Sequence, residues 1–444
     1  MKRFIGFVLA ACLRSMVGLI LYIASRLFWT VEMRGLEYDT GAPRTYLAIT
    51  HRRDLDSMAP VLPILLHRGW RALATETHFA MRSDSFSPGF LARVVTRPRW
   101  LARFVRPLAV GPVLNWLGIQ PTQKLHLRPA EEWIRDAIEI AGNARAGDVL
   151  SPSFVQELAA AGGWSTARIE RLRLSRLLRW RFYTVMVAYR PPSILNEGVR
   201  RRAEMSVVAR AKRYLADQAA WLARGGSIYS APEGGFSPDG ALGPITSGFH
   251  RLLKLSPADT RVVPICIFYD FMTVGRRHMF VDLAPAIERA PEMPRAVMDA
   301  RLRRSWLEAG RFTCTQLASG FLVRVSRAAV STFTTADLVD ALVDQATSLA
   351  GLGRHVDARL LRRRRAGRLA RGYLAFAERH RLVRREGDGV WTALPVDLHV
   401  EVEPGEASYS YAPLANAWNE LQDMLSVSPS AGLADGMETR ASGQ

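Results

Sequence analysis

The segment Thr50-His51-Arg52-Arg53-Asp54-Leu55-Asp56 puts an imidazole and two carboxylates within reach of one another. Imidazole titrates near neutrality. A carboxylate that accepts its second N–H fixes the tautomer and stabilises the imidazolium, which leaves the other nitrogen to take a proton from a hydroxyl. Asp54 and Asp56 are both near enough in sequence to play that part, and the bland alternative is a polar loop in which either aspartate caps the following turn. Far downstream, Ala231-Pro232-Glu233-Gly234-Gly235-Phe236-Ser237-Pro238-Asp239-Gly240 presents an acid on a glycine-rich loop. No serine sits in a G-x-S-x-G elbow, so the nucleophile of any group transfer is expected from the substrate.

The elements that must position these residues are readable as short apolar runs. Tyr46-Leu47-Ala48-Ile49 reads as a strand running into His51, Ser227-Ile228-Tyr229-Ser230 as one running into the glutamate loop, and Arg261 to Tyr269 as a third. The periodic stretch from Arg200 to Arg224, followed by Gly225-Gly226, predicts a helix feeding a strand, the unit that builds a sheet flanked by helices. Between the two chemical segments, residues from about 128 to 198 read as an inserted helical subdomain. Ser151-Pro152 opens one helix there, Gly162-Gly163 closes it, and Pro191-Pro192 ends an arginine-rich stretch. In that stretch Arg168, Arg171, Arg173, Arg176, Arg179 and Arg181 alternate with Ile169, Leu172, Leu174, Leu177, Leu178 and Trp180, a pattern expected of a basic amphipathic helix on lipid headgroups. Beyond about residue 290 the chain turns to alanine-, leucine- and arginine-rich helices followed by a Gly387-Asp388-Gly389 turn. On its own this winged-helix-like pattern would suggest DNA binding.

Taken in order, T-H-R-R-D-L-D, P-E-G-G-F-S-P-D-G-A-L-G-P-I-T-S-G-F and V-V-P-I-C-I-F-Y resemble three blocks of the glycerophosphate acyltransferase superfamily: N-H-x-x-x-x-D, the E-G-T-R-S loop and the V-P-V/I strand. The resemblance covers roughly residues 32–285, beginning at Val31-Glu32-Met33-Arg34-Gly35. It implies His51 as general base, Asp56 as its orienter, and Glu233, Gly234 and Gly235 as part of the acceptor-binding loop. The family's threonine and arginine are replaced here by Gly235 and Phe236, so a cation for the acceptor phosphate must come from elsewhere. Lys124 or Arg128, near the degenerate block Gly118-Ile119-Gln120-Pro121-Thr122-Gln123-Lys124, is the candidate. The implied reaction moves a fatty acyl group from acyl-CoA or acyl-carrier protein to glycerol 3-phosphate or lysophosphatidate, with no metal and no further cofactor.

Composition sets the surroundings. With 444 residues, 48% of them hydrophobic, the chain can hold two domains or one enlarged one, and its formal net charge of +19 calls for an anionic partner. Phe4 to Trp29 is apolar but interrupted by Arg14 and Arg26, short of the roughly 20 residues needed to span a bilayer without a charge. A monotopic or single-span attachment to the cytoplasmic face of the cell membrane is expected. The histidines and cysteines show no ligand spacing, and Cys12, Cys266 and Cys314 form no disulfide framework. The resulting expectation is an α/β fold: a membrane-associating segment at 1–30, an acyltransferase domain at 31–285 with its helical insertion, a mainly helical, winged-helix-like extension at 286–425, and a disordered tail at 426–444. Membrane lipids, the acyl donor and the glycerol-phosphate acceptor are the expected partners, and nucleic acid is not. The rival reading is a catalytically degenerate basic scaffold or nucleic-acid-binding protein on the same fold.

Overall fold

The computed structural model describes residues 29–52, 77–82, 111–116, 118–122, 128–235, 237, 239–274, 277–328, 331–396, 398 and 412–427, together with Cys12, Met16, Leu19, Ile23 and Ile64 singly. The chain divides into two compact units, Met1–Thr77 with Leu222–Gln444, and His78–Trp221.

The first unit is α/β. Its strands β1 (Trp29–Arg34), β2 (Thr45–Ile49), β3 (Ser227–Ser230), β4 (Arg261–Asp270) and β5 (Arg277–Leu283) lie in the order β1-β5-β4-β2-β3. All neighbours are parallel except β4 and β5. β2 is buried along its whole length and β4 at all but its first residue, the pattern of strands covered on both faces. Helix α1 (Ser247–Leu255) packs Phe249 edge-on against Tyr46, ring centroids 5.0 Å apart. Helix α2 (Arg295–Ala309) buries Trp306, whose indole N–H donates to the Ala48 carbonyl at 3.0 Å. The two helices are tied to each other by His250 and Asp299 at 2.6 Å.

After α2 come α3 (Cys314–Ser326), β6 (Thr332–Thr334), α4 (Thr335–Gly351), α5 (Arg363–Arg379), β7 (Val383–Gly387) and β8 (Val390–Ala393). The antiparallel sheet has the order β6-β8-β7, and together with helices α3 to α5 this is the connectivity of a winged helix. Thr313 and Thr334 open α3 and α4 with reciprocal capping boxes. By contrast α5 opens on Arg362 to Arg365, against the helix dipole, at a cost of about 0.3–1 kcal/mol for each charge near the terminus. A last helix, α6 (Pro413–Leu425), closes the described chain of this unit.

Buried ion pairs fasten this region to the sheet. Asp270 at the end of β4 accepts the Thr315 N–H and hydroxyl at 3.0 and 2.8 Å and pairs with Arg359 at 3.0 Å. On β5, Asp282 pairs with Arg311 at 2.7 Å, and Arg311 also reaches Glu32 of β1 at 3.0 Å.

In the second unit, strand Thr77–Arg82 runs parallel to Ile119–Thr122, and helices Ala130–Ala141, Pro152–Gly162 and Glu197–Ala223 enclose a core centred on Trp133, Phe154 and Leu158. Ser151 caps the second of these helices through the Phe154 N–H, with Pro152 at its first position and Gly163 left-handed at its end. The arginine-rich stretch corrects the sequence expectation. Instead of one amphipathic helix it forms the short helices Thr166–Glu170 and Leu174–Leu177 and a 3₁₀ turn at Trp180–Phe182. The backbone is drawn out of helix by pairing elsewhere: Arg145 bridges Arg173, Leu174 N–H donates to Ala144 O at 3.0 Å, and Ala146 N–H to Leu172 O at 2.8 Å. Ile169, Leu174 and Leu177 then enter this unit's own core, so they are not offered to lipid.

The expected N-terminal membrane segment and most of the tail lie outside the described residues, apart from the single positions named above and the stretch up to Val427. No helix among the described residues is long and apolar enough to cross a membrane.

His355 sits in the positive field of Arg34, Arg311 and Arg354, but burial is the larger reason that its pKa falls from 6.5 to about 4. The unfolded chain takes up this proton below 6.5 and the folded chain does not, so stability is lost as pH falls from about 6.5 towards 4. Replacing His355 by glutamine should flatten that part of the loss, measured as the drop in urea midpoint between neutral pH and about pH 4 relative to wild type. Equal drops in the two proteins would refute the assignment.

Candidate active site

The parallel register of β2 and β3 decides the geometry. Ala48 stands opposite Ser230, and both chains leave the sheet at the same edge three residues before His51 and Glu233. Ligand sites of α/β sheets form outside the carboxyl ends of such strands. Thr50, fully buried, holds the end of β2 by donating its N–H to Ile265 O at 3.0 Å and accepting the Ile267 N–H at 2.9 Å.

The two segments meet directly. The His51 N–H donates to Glu233 Oε2 at 3.0 Å, and the Gly243 N–H donates to Oε1 at 2.7 Å. The Ser237 N–H donates to the His51 carbonyl at 2.9 Å, so the loop grips the histidine backbone from both sides. Burial raises the Glu233 carboxyl above the ordinary glutamate range, opposed by the nearby Arg52 guanidinium and by the two N–H donors. Gly234 is left-handed at φ 71°, and a Cβ there would lie 2.8 Å from Thr246 Cγ2. Thr246 in turn gives both its N–H and its hydroxyl to Pro232 O at 2.9 Å, which fixes the far side of the turn.

Arg52, next in sequence to the histidine, is the hub of the loop. It is 6% exposed, donates to Gly240 O, pairs with Glu420 at 3.6 Å, and lies over the Phe268 ring. Despite its burial, the carboxylates of Glu420 and Glu233 hold its pKa above the ordinary arginine value. Helix α6 supplies more of the support. Asp423 accepts the Leu242 N–H, Asn419 donates to Asp239 O at 3.1 Å, and the Asn416 carbonyl lies where a Cβ on Gly240 would be. From α2, Arg303 donates to Gly243 O at 2.7 Å. Behind the loop, a cleft of about 10 Å³ between Arg52, Tyr269, Asn416 and Glu420 has room for one water-sized group.

Of the residues singled out in the sequence, His51, Glu233, Gly234 and Gly235 are thus brought together. Asp54, Asp56, Lys124 and Phe236 lie outside the described residues. Arg128 belongs to the second unit, where it is buried against Trp133 and donates to Glu132 at 2.7 Å and Asp136 at 2.6 Å. Among the described residues no cluster of three or more His, Cys, Asp or Glu is arranged to hold a metal ion. Sequence reading passed over Arg52, Arg303, Glu420 and Asp423. Arg52 carries a signal in hindsight, the first of two arginines directly after the histidine at the end of an apolar strand. Glu420 and Asp423 carry none, because their role arises only from where α6 docks.

No protein-family model matches the chain, and no curated protein matches it.

A group that anchors two backbone N–H donors cannot be replaced by its amide without turning one acceptor into a donor. Glu233→Gln should therefore cost about 1.5–3 kcal/mol of stability in urea unfolding. Gly240→Ala should cost more than about 1 kcal/mol, since it adds a side chain at φ 94° against the Asn416 carbonyl. Unchanged midpoints for both variants would mean that the loop is not held as described.

Proposed function

We propose that this chain is a membrane-associated O-acyltransferase that moves a fatty acyl group from acyl-CoA or acyl-carrier protein to glycerol 3-phosphate or lysophosphatidate. One observation carries the reading: His51 and the P-E-G-G loop, 182 residues apart in sequence, are joined by a hydrogen bond at the carboxyl ends of adjacent parallel strands. The resemblance of these same segments to the glycerophosphate acyltransferase blocks supplies the chemistry.

In that reaction the His51 imidazole removes the proton from the acceptor hydroxyl. The oxygen attacks the thioester carbonyl, the tetrahedral adduct collapses with rupture of the C–S bond, and the departing thiolate takes the proton back from the imidazolium. Asp56 orients the ring. Glu233 acts through the backbone, holding the histidine and the glycine loop in one arrangement before substrate arrives, which removes part of the entropic cost of assembling the site. A long acyl chain gains roughly 0.8 kcal/mol for each CH₂ kept out of water, so access from a lipid surface suits such a donor. The net charge of +19 and the exposed helical residues Met16, Leu19 and Ile23 support placement at an anionic leaflet, on its cytoplasmic side.

The detergent-solubilised full chain, given labelled acyl thioester with glycerol 3-phosphate, lysophosphatidate or unphosphorylated glycerol, should form acyl ester with one of the phosphorylated acceptors. His51→Ala should lower that rate by about 10²–10⁴ while leaving the thermal transition in place. Folded wild-type protein that forms no ester with any acceptor would overturn the reading.

A further inference from the structure

The winged-helix part of the first unit carries a charge pattern that acyl transfer does not use. On α5, Arg364, Arg368, Arg371, Ala375 and Arg379 follow the i, i+4, i+7, i+11, i+15 spacing of a single helix face, with Arg365 beside them, and all are exposed. None of these arginines forms an ion pair with a described residue. Of the neighbouring charges, Arg363 is matched by Asp340, Arg384 by Glu386 and Arg385 by Asp388, while Glu378, exposed beside Arg371 on the same face, sets one negative charge against five positive ones. The opposite face of the helix is fixed. Ala366, Ala370, Tyr373, Leu374 and Ala377 are buried, and the Tyr373 hydroxyl meets Ser319 Oγ at 3.1 Å. The helix therefore presents its arginines rigidly, and its first turn concentrates positive charge at the end where the helix dipole already repels it. Of the arginines in that turn, Arg363 is compensated by Asp340 while Arg364 and Arg365 are left without an ion pair to a described residue, which is how a surface shaped for an external partner reads.

We propose that this face of α5 is a binding surface for duplex nucleic acid, engaged through its phosphates. Three observations favour a duplex over a lipid leaflet. The element lies in the position of the second, groove-entering helix of a winged helix, and at 17 residues it is about 25 Å long and of a width that the major groove admits. The stripe contains no large apolar side chain, whereas a helix that seats in a leaflet buries one face of them. Its single uncharged member, Ala375, lets a backbone come close. The exposed apolar residues around it are single and separate: Val274, whose N–H donates to the Gly372 carbonyl of α5 at 3.2 Å, Leu361 before α5, and Val390 on the hairpin. Contacts to phosphate alone carry no base information, so binding is expected to be sequence-independent and strongly salt-dependent. This surface is independent of the acyltransferase reading.

The test uses the full chain in neutral detergent, with fluorescence anisotropy of a labelled random-sequence duplex of about 20 base pairs, titrated between about 50 and 200 mM salt. Wild type should bind, with log affinity falling linearly in log salt. The triple variant R364Q/R368Q/R371Q should lose at least about tenfold in affinity at the lower salt and reduce the slope by about 3, one counterion for each phosphate contact removed. R171Q/R176Q/R179Q, which removes the same charge from exposed arginines of the second unit, should leave both values near wild type. Far-ultraviolet circular dichroism checks that each variant is folded. The proposal is overturned if wild type does not retain the duplex, if the two triple variants behave alike, or if micelles doped with phosphatidylglycerol displace the duplex while excess duplex does not displace them.

Discussion

The parallel pairing of β2 with β3 is the constraint on which the rest of the first unit depends. A register in which Ala48 faces Ser230 sends His51 and Glu233 out of the sheet side by side, and a slip of one residue would turn every side chain of a fully buried strand to the opposite face. The Glu233 carboxylate then works as a knot, taking one N–H from the histidine segment and one from the far end of its own loop. Such a knot is strong where water is excluded and costly if half tied, so the glycines and Thr246 around it have little freedom to vary.

Much of the remaining architecture is secured by charge placed where it is expensive. Burial raises the carboxyls of Asp270 and Asp282, and the guanidiniums of Arg359 and Arg311 pull them back. Glu32, less enclosed, is lowered first by its hydrogen bond to His278 and then by Arg311. Pairs of this kind add little net stability, because desolvation consumes most of the attraction, but breaking one side leaves an uncompensated charge. They select this docking of α3 and the 357–359 segment on the sheet edge over other apolar arrangements of similar burial.

The strands were legible because their apolar runs are short and bounded by Pro, Gly or the chemical residues themselves. Tyr46 to Ile49 and Ser227 to Ser230 stand where the sequence puts them, as does the helix from Ser151-Pro152 to Gly162-Gly163. The α/β class followed from those runs. The arginine-rich stretch misled because apolar residues alternating with arginines fit a helix and a chain folded over a core equally well, and the decision lay with Ala144 and Ala146, whose backbone groups pair with it. Proximity of His51 to Glu233 was readable only through resemblance, since nothing in composition fixes strand order. The support from α6 was invisible because Glu420 and Asp423 look like ordinary solvated acids of an amphipathic helix until the helix docks.

That docking bears on when the site comes into being. The chain leaves the ribosome from its N-terminus, and domains tend to fold as units once enough of them has emerged. Here the loop carrying Glu233 leans on residues 416–423, almost the last of the described chain, and Arg52, made early, waits with a buried charge for Glu420, made late. A nascent chain holding every strand of the sheet still has an unfinished loop beside its histidine. Synthesis itself therefore acts as a timer: the arrangement around His51 closes only after residues 416–423 have emerged, and a product truncated before them carries the histidine without the setting that holds it.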